Sequence, residues 1–153
     1  MASMTVWICK PWAEVTRDDL YRILAARQRV FIVEQNCAYV DTDGYDAAGW
    51  HLWTEDAAGE LAAYLRILPA RSKYAEPSLG RVLTMQAHRR SGLGRALMIE
   101  GLRRIEALCG AVPVRIGAQK YLERFYGELG FVRDGGDYDE DGIPHLEMVR
   151  PGK

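Results

Sequence analysis

Two hydrophobic periods run along this chain, one of two residues and one near 3.6, and they divide it into strands and helices. Residues 5–9 (TVWIC) are β-branched and aromatic and read as a short first strand. Thr16 with Asp18 and Asp19 reads as a helix start: the hydroxyl can cap free backbone N–H groups, and the acids suit the positive end of the helix. Leu20, Ile23, Leu24, Arg27 and Phe31 continue at helical spacing, and around Val33 the pattern fades into a polar loop over 34–46. Residues 50–54 and 61–68 read as a hairpin around a turn at 55–60, and 69–77 as a loop. A strand over 80–85 follows, then a basic turn. The helix from Gly92 to Cys109 comes next, with Leu93, Leu97, Leu102, Ile105 and Leu108 facing a core. Residues 112–117 read as a strand and 119–129 as a short helix closed by Gly130. Final strands over 131–133 and 145–149 are separated by an acidic, glycine-rich loop. This order is that of one α/β layer domain over 1–153.

Composition narrows the function. The 153 residues are 48% hydrophobic, enough to build a core, and carry 20 basic against 21 acidic side chains. That balance argues against nucleic acid as a partner, which calls for a strongly basic face. Cys9, Cys37 and Cys109 show no C-x-x-C pair and no metal-finger spacing, so reduced thiols and no metal are expected. Residues 1–10 hold no secretory pattern, and no apolar run approaches the roughly 18 residues that span a bilayer. A cytoplasmic chain without a membrane partner is expected.

The chemistry concentrates at Arg89-Arg90-Ser91-Gly92-Leu93-Gly94, between a strand and an amphipathic helix. Unpaired N–H groups at a helix start converge on one point, and the helix dipole favours an anion there. Gly92 and Gly94 let a ligand approach the backbone, and Arg89, Arg90 and Arg95 add positive charge beside a diphosphate. A triphosphate loop would need Gly-Lys-Ser/Thr, whereas Arg95 and Ala96 follow Gly94. A dinucleotide fingerprint would need a third glycine where Leu97 stands, and an acid in the region that Val112 to Ile116 fills. The bland alternative is a helix start with incidental glycines and solvated arginines.

The turn resembles the Arg/Gln-x-x-Gly-x-Gly/Ala pattern of the GNAT N-acetyltransferase superfamily, and Tyr126-Gly127-Glu128-Leu129-Gly130-Phe131 is similar to that family's Tyr-x-x-x-Gly-Phe. Residues 27–36 (RQRVFIVEQN), 80–82 (GRV), 117–119 (GAQ) and 141–145 (DGIPH) resemble the ElaA group within it. The resemblance implies an α/β (α+β) GNAT fold, with a mixed, mostly antiparallel sheet splayed between its fourth and fifth strands and helices on both faces. It implies acetyl-CoA as co-substrate, its pyrophosphate on Arg89 to Arg95 and its pantetheine arm along Val82, Leu83 and Thr84. Further cofactor contacts are implied at Gln119 and Tyr126. The acetyl group would pass directly, in a ternary complex, to a primary amine on a small molecule or a protein. Small members are often homodimers, although no stretch here declares an interface.

Such a transfer needs a neutral amine, donors for the developing oxyanion and a proton for the departing thiolate. Tyr126 resembles the family's general acid; the alternative is a packed core tyrosine. A backbone N–H near Leu83 or Thr84 could polarise the carbonyl. Candidate bases are Glu34, His51 and His145, each with a structural alternative: an ion-paired carboxylate for Glu34, a satisfied strand histidine for His51 and for His145. The acidic run at 41–46 fails as a calcium loop, because Tyr45 replaces an oxygen ligand and Leu52 falls where the bidentate acid belongs. The second run, 134–141, reads as a solvated hairpin turn whose acids could attract a cationic amine. Two competing functions stay open: an acyl-CoA-binding sensor without catalysis, and an acyl-homoserine lactone synthase, whose Arg-x-x-Val-Phe stretch resembles 27–31.

Overall fold

The computed structural model describes residues 4–153, whose strands join into one eight-stranded sheet. The first strand, β1 (Ile8–Pro11), pairs antiparallel with β2 (Trp50–Glu55), β2 with β3 (Leu61–Leu68), and β3 with β4 (Ser78–Thr84). Beyond a parallel step to β5 (Val114–Gln119), the sheet continues antiparallel to β8 (Ile143–Arg150). The outer edge of β8 carries both β6 (Val132–Arg133) and β7 (Tyr138–Glu140). Three helices cover the sheet: α1 (Arg17–Arg27), α2 (Leu93–Cys109) and α3 (Glu123–Glu128).

The apolar period of β3 explains why both faces are covered. Ala63, Leu65 and Ile67 meet Leu97, Met98, Leu102 and Ile105 of α2, whereas Tyr64 between them meets Ile23 and Ala26 of α1. Every residue of β3 is buried, as expected of a strand with a helix on each side. The start of α1 is a capping box: Asp19 N–H donates to Thr16 Oγ1 at 3.0 Å, and Thr16 N–H donates back to Asp19 Oδ2 at 3.1 Å.

Two irregularities shape the site. Strands β4 and β5 share a single register pair, Ser78 with Arg115, and then part, which opens the splay that the resemblance implied. In β4 the register slips between Tyr64 and Arg66 of its partner, and Arg81 takes φ +51°, so an extra residue bulges towards the opening.

The strand borders differ from the sequence reading where pairing overrode local preference. The first strand lies at Ile8–Pro11, not 5–9; beyond it the Thr54 hydroxyl donates to Val6 O at 2.8 Å in place of a ladder bond. Gln119 ends β5, paired with His145, and does not begin a helix. The first helix runs on as a π-helical turn, Gln28–Glu34, and β7 is an extra strand in the second acidic run. Asp141 (φ +53°) and Gly142 (φ +81°) make its two-residue connection to β8, the Asp-Gly hairpin that matches the twist of paired strands.

Candidate active site

The parted strands enclose a cleft of about 840 Å³. One wall is the open edge of β4, the other the end of β5 with Tyr126 of α3. Met85 N–H donates to Ala62 O of β3 at 2.9 Å, so alternation turns the backbone of Thr84 to the opposite, open edge. There Thr84 O accepts from Arg89 Nε at 2.9 Å, and Val82 shares that edge two residues earlier. Leu83 faces β3 with its backbone and packs its side chain on the α1 side of the sheet. The amide available to a carbonyl in the cleft is therefore that of Thr84 or Val82, not Leu83.

At the outer end of β4 the chain turns through Arg90 (φ +63°) and Gly92 (φ +82°) into α2, and no side chain caps the helix. The first backbone bond of α2 is Ala96 N–H to Gly92 O, at 3.1 Å, which leaves the N–H groups of the first turn for an external acceptor. Gly92 is needed for its left-handed φ, whereas Gly94 is needed for space: a Cβ there would meet Thr84 Oγ1 at 3.3 Å. An uncapped helix start beside a backbone edge fits a diphosphate joined to an extended arm.

Of the residues singled out from sequence, Val82, Leu83, Thr84, Arg89, Gly94 and Gln119 line the cleft. Glu34, Tyr126 and His145 do too. Arg90, Ser91, Gly92, Leu93 and Arg95 form the turn at its outer end and lie outside the lining; Arg95 also reaches Glu128 at 3.3 Å.

His51 stays away from the cleft. It is 0% exposed, its Nε2–H donates to Asp46 O at 3.0 Å, and its Nδ1 accepts from the Tyr64 hydroxyl at 2.7 Å. Burial pushes its pKa down against the opposing bond to Asp46, which holds it neutral between fixed partners. The geometry gives His51 a structural role.

Tyr126 is 6% exposed, edge-on to Phe125 and Phe131, and among the described residues no hydrogen bond holds its hydroxyl. Burial pushes the phenol well above its ordinary value, so it keeps its proton. Glu34 Oε1 accepts from Arg89 Nη2 at 2.6 Å, tying the π-turn to the end of β4. His145, from β8, donates Nδ1–H to Ile143 O at 2.7 Å and sets Nε2 3.2 Å from Glu140 Oε2 of β7. Two contacts close the far side: Gln119 Nε2 donates to Gln35 Oε1 at 3.2 Å, and Cys37 Sγ to Asp141 O at 3.1 Å.

Sequence reasoning missed the network that holds this wall. Arg27 donates to Asp41 Oδ2 at 2.6 Å and to Asp46 Oδ1 at 2.7 Å. Arg66 donates to Asp43 at 2.8 Å and to Asp46 at 2.9 Å. The bulged Arg81 donates Nη2 to Asp41 O at 2.9 Å, while its Nε lies 2.9 Å from Asp41 Oδ1 but off the angle of a hydrogen bond. The run 41–46 is thus a receptor for three arginines. A charged residue at a helical core position, Arg27, was the available signal.

Against known proteins, the model of the acetyltransferase (GNAT) domain matches residues 28–150. The chain belongs to the GNAT acetyltransferase family. Protein ElaA of Escherichia coli is 38% identical over 151 residues, covering 96% of this chain and 97% of that protein. A UPF0039 protein of Synechocystis is 37% identical over 143 residues, 94% and 93% of the two chains. Among solved structures, an acyl-CoA N-acyltransferase from Pseudomonas aeruginosa superposes with TM-score 0.91 at 40% identity, covering 96% and 99%. The E. coli ElaA structure superposes with TM-score 0.89 at 36% identity, covering 96% and 99%. The GNAT fold and an acyltransferase activity follow for this chain, and the family uses acetyl-CoA or another acyl-CoA. Among the described residues no helix is long and apolar enough to cross a membrane, and no group of His, Cys, Asp and Glu is arranged to hold a metal ion.

Proposed function

We propose that this GNAT enzyme moves an acetyl group from acetyl-CoA directly to a primary amine. The observation that carries it is the joining, in one cleft, of the uncapped start of α2, the open edge of β4 and the unpartnered hydroxyl of Tyr126. The N–H groups of 93–95, with Arg90 beside them, would hold the pyrophosphate. The pantetheine amides would pair along Val82 and Thr84, and a backbone N–H of that edge would meet the charge developing on the thioester oxygen.

Tyr126 then serves the leaving group. A phenol raised by burial donates a hydrogen bond rather than surrendering its proton early. The same burial raises the proton affinity of a departing thiolate, so donor and acceptor are matched inside the cleft. Deprotonation of the amine falls to His145. Its Nδ1–H is committed to Ile143 O, so Nε2 is the ring nitrogen that would take the amine's proton, and Glu140 Oε2, 3.2 Å away, would accept a bond from the Nε2–H so formed. Glu34, locked to Arg89, aligns the turn instead.

Thiol release from acetyl-CoA across a panel of primary amines is the direct test. Release above background is expected, and His145→Asn should lower kcat while leaving the KM for acetyl-CoA unchanged. Acetyl-CoA binding with background release for every amine would favour a sensor over an enzyme.

A further inference from the structure

We propose that the amine acceptor also carries a carboxylate, which Lys73 and the hydroxyls of Tyr74 and Tyr138 bind at the end of the cleft remote from the glycine turn. This rests on the acetyl-transfer function above and narrows its acceptor class.

Position comes first. The seven residues of β4, at a rise of about 3.3 Å each, separate its two ends by roughly 20 Å. The turn at 89–94 follows one end; the loop carrying Lys73 and Tyr74 precedes the other. Tyr138 and Glu140 of β7 line the same cleft as Lys73 and Tyr74. A cofactor held by the turn and by the edge at Val82 and Thr84 leaves the stretch beside Ser78, Leu79 and Gly117 free for the acceptor.

That stretch presents donors without partners. A Cβ on Gly117 would lie 3.0 Å from the Tyr74 hydroxyl and 3.0 Å from the Tyr138 hydroxyl, so the two hydroxyls are within 6.0 Å of each other. One carboxylate accepting a bond of about 2.7 Å from each spans that gap. Among the described residues no hydrogen bond engages either phenol; burial, then the nearby charges of Glu140 and Glu147, raise both above their ordinary value, so both remain donors and the positive charge must come from Lys73. Glycine at 117 is what keeps the space between them open.

Charge supplies the sign. Lys73 Nζ lies 5.7 Å from the centre of the Tyr74 ring. Among the described residues it has no carboxylate within 4.0 Å, although Glu140 and Asp43 lie farther off. The arginines of the cleft are matched: Arg89 by Glu34, and Arg66 and Arg81 by Asp43 and its neighbours. An incoming anion therefore finds one uncommitted cation beside two uncommitted hydroxyls. The Lys73 side chain reaches solvent, yet desolvation at the cleft wall lowers its pKa, with Glu140 opposing; a bound carboxylate would raise it again.

The test compares α- and ω-amino acids with their carboxamides as acceptors, following thiol release from acetyl-CoA. The carboxylate forms should have the higher kcat/KM, by about 10- to 100-fold, the range of a charge-assisted hydrogen bond. Lys73→Met should erase that preference by raising KM for the acids, leaving the carboxamides and the KM for acetyl-CoA unmoved. Lys73→Arg should retain most of it. Equal efficiency for acid and amide, or an equal loss for both in Lys73→Met, overturns this inference alone. Absence of release with every acceptor overturns the transfer function and this inference with it.

Discussion

Tyr126 and His51 are both buried aromatic side chains with a polar tip, and what separates them is the partner of that tip. Both ring nitrogens of His51 are spent on Tyr64 and Asp46, whereas Tyr126 lines the cleft and its hydroxyl has no bonded partner among the described residues. A Tyr126→Phe variant should therefore fold normally and bind acetyl-CoA with unchanged Kd while kcat falls about 100-fold or more, the usual share of a general acid. Unchanged kcat would remove Tyr126 from the chemistry. Sequence could nominate both residues but not rank them, because the difference lies in neighbours 5 and 13 positions from His51 in one case and an open space in the other.

Among the elements, the turn into α2 was legible and the β7–β8 hairpin was only half so. A glycine pattern before an amphipathic helix predicts a turn, and Gly92 takes the left-handed φ of +82° that such a turn uses. Gly92→Ala places its Cβ in open space, so its effect isolates backbone strain and ligand approach. The expected cost is about 1 kcal/mol, a fall in Tm of roughly 2–4 °C for a chain of this size. With it should come weaker acetyl-CoA binding by calorimetry; intact affinity would move the pyrophosphate elsewhere. At 134–141 the polar composition suggested a turn alone. The strand Tyr138–Glu140 forms because β8 offers a free edge, which no property of those three residues announces.

Across the whole molecule, the Arg27–Asp41–Asp43–Asp46–Arg66–Arg81 network joins α1, the loop after it, β3 and the bulge of β4. Burial alone would raise Asp46, but the hydrogen bonds and charges of Arg27 and Arg66 outweigh it and hold its carboxyl below the ordinary range. Burial likewise opposes Arg66 and Arg81 at Asp43, with the same outcome. A folded value below the unfolded one means that the network stabilises fully above the ordinary carboxylate pKa and loses that contribution as pH falls below it. Chemical denaturation should show a stability plateau near neutrality that declines below about pH 4. Asp46→Asn should cost roughly 3–5 kcal/mol, since it leaves two buried guanidinium groups short of charge. A loss under 1 kcal/mol would mean that Asp41 and Asp43 suffice.

By itself the sequence determined the order of helices and strands apart from β7, the capped start of α1 and the glycine turn into α2. All of these rest on spacing along a few residues, where period and backbone chemistry act locally. Tertiary structure alone decided where β4 and β5 part, which amides of β4 face the opening, and that Asp41 to Asp46 receives three arginines. It also brought Lys73, Tyr74 and Tyr138 to one end of the cleft. Those outcomes depend on which edges are left unpaired and which charges meet across 14 to 40 residues of chain, and no local pattern encodes a partner that distant.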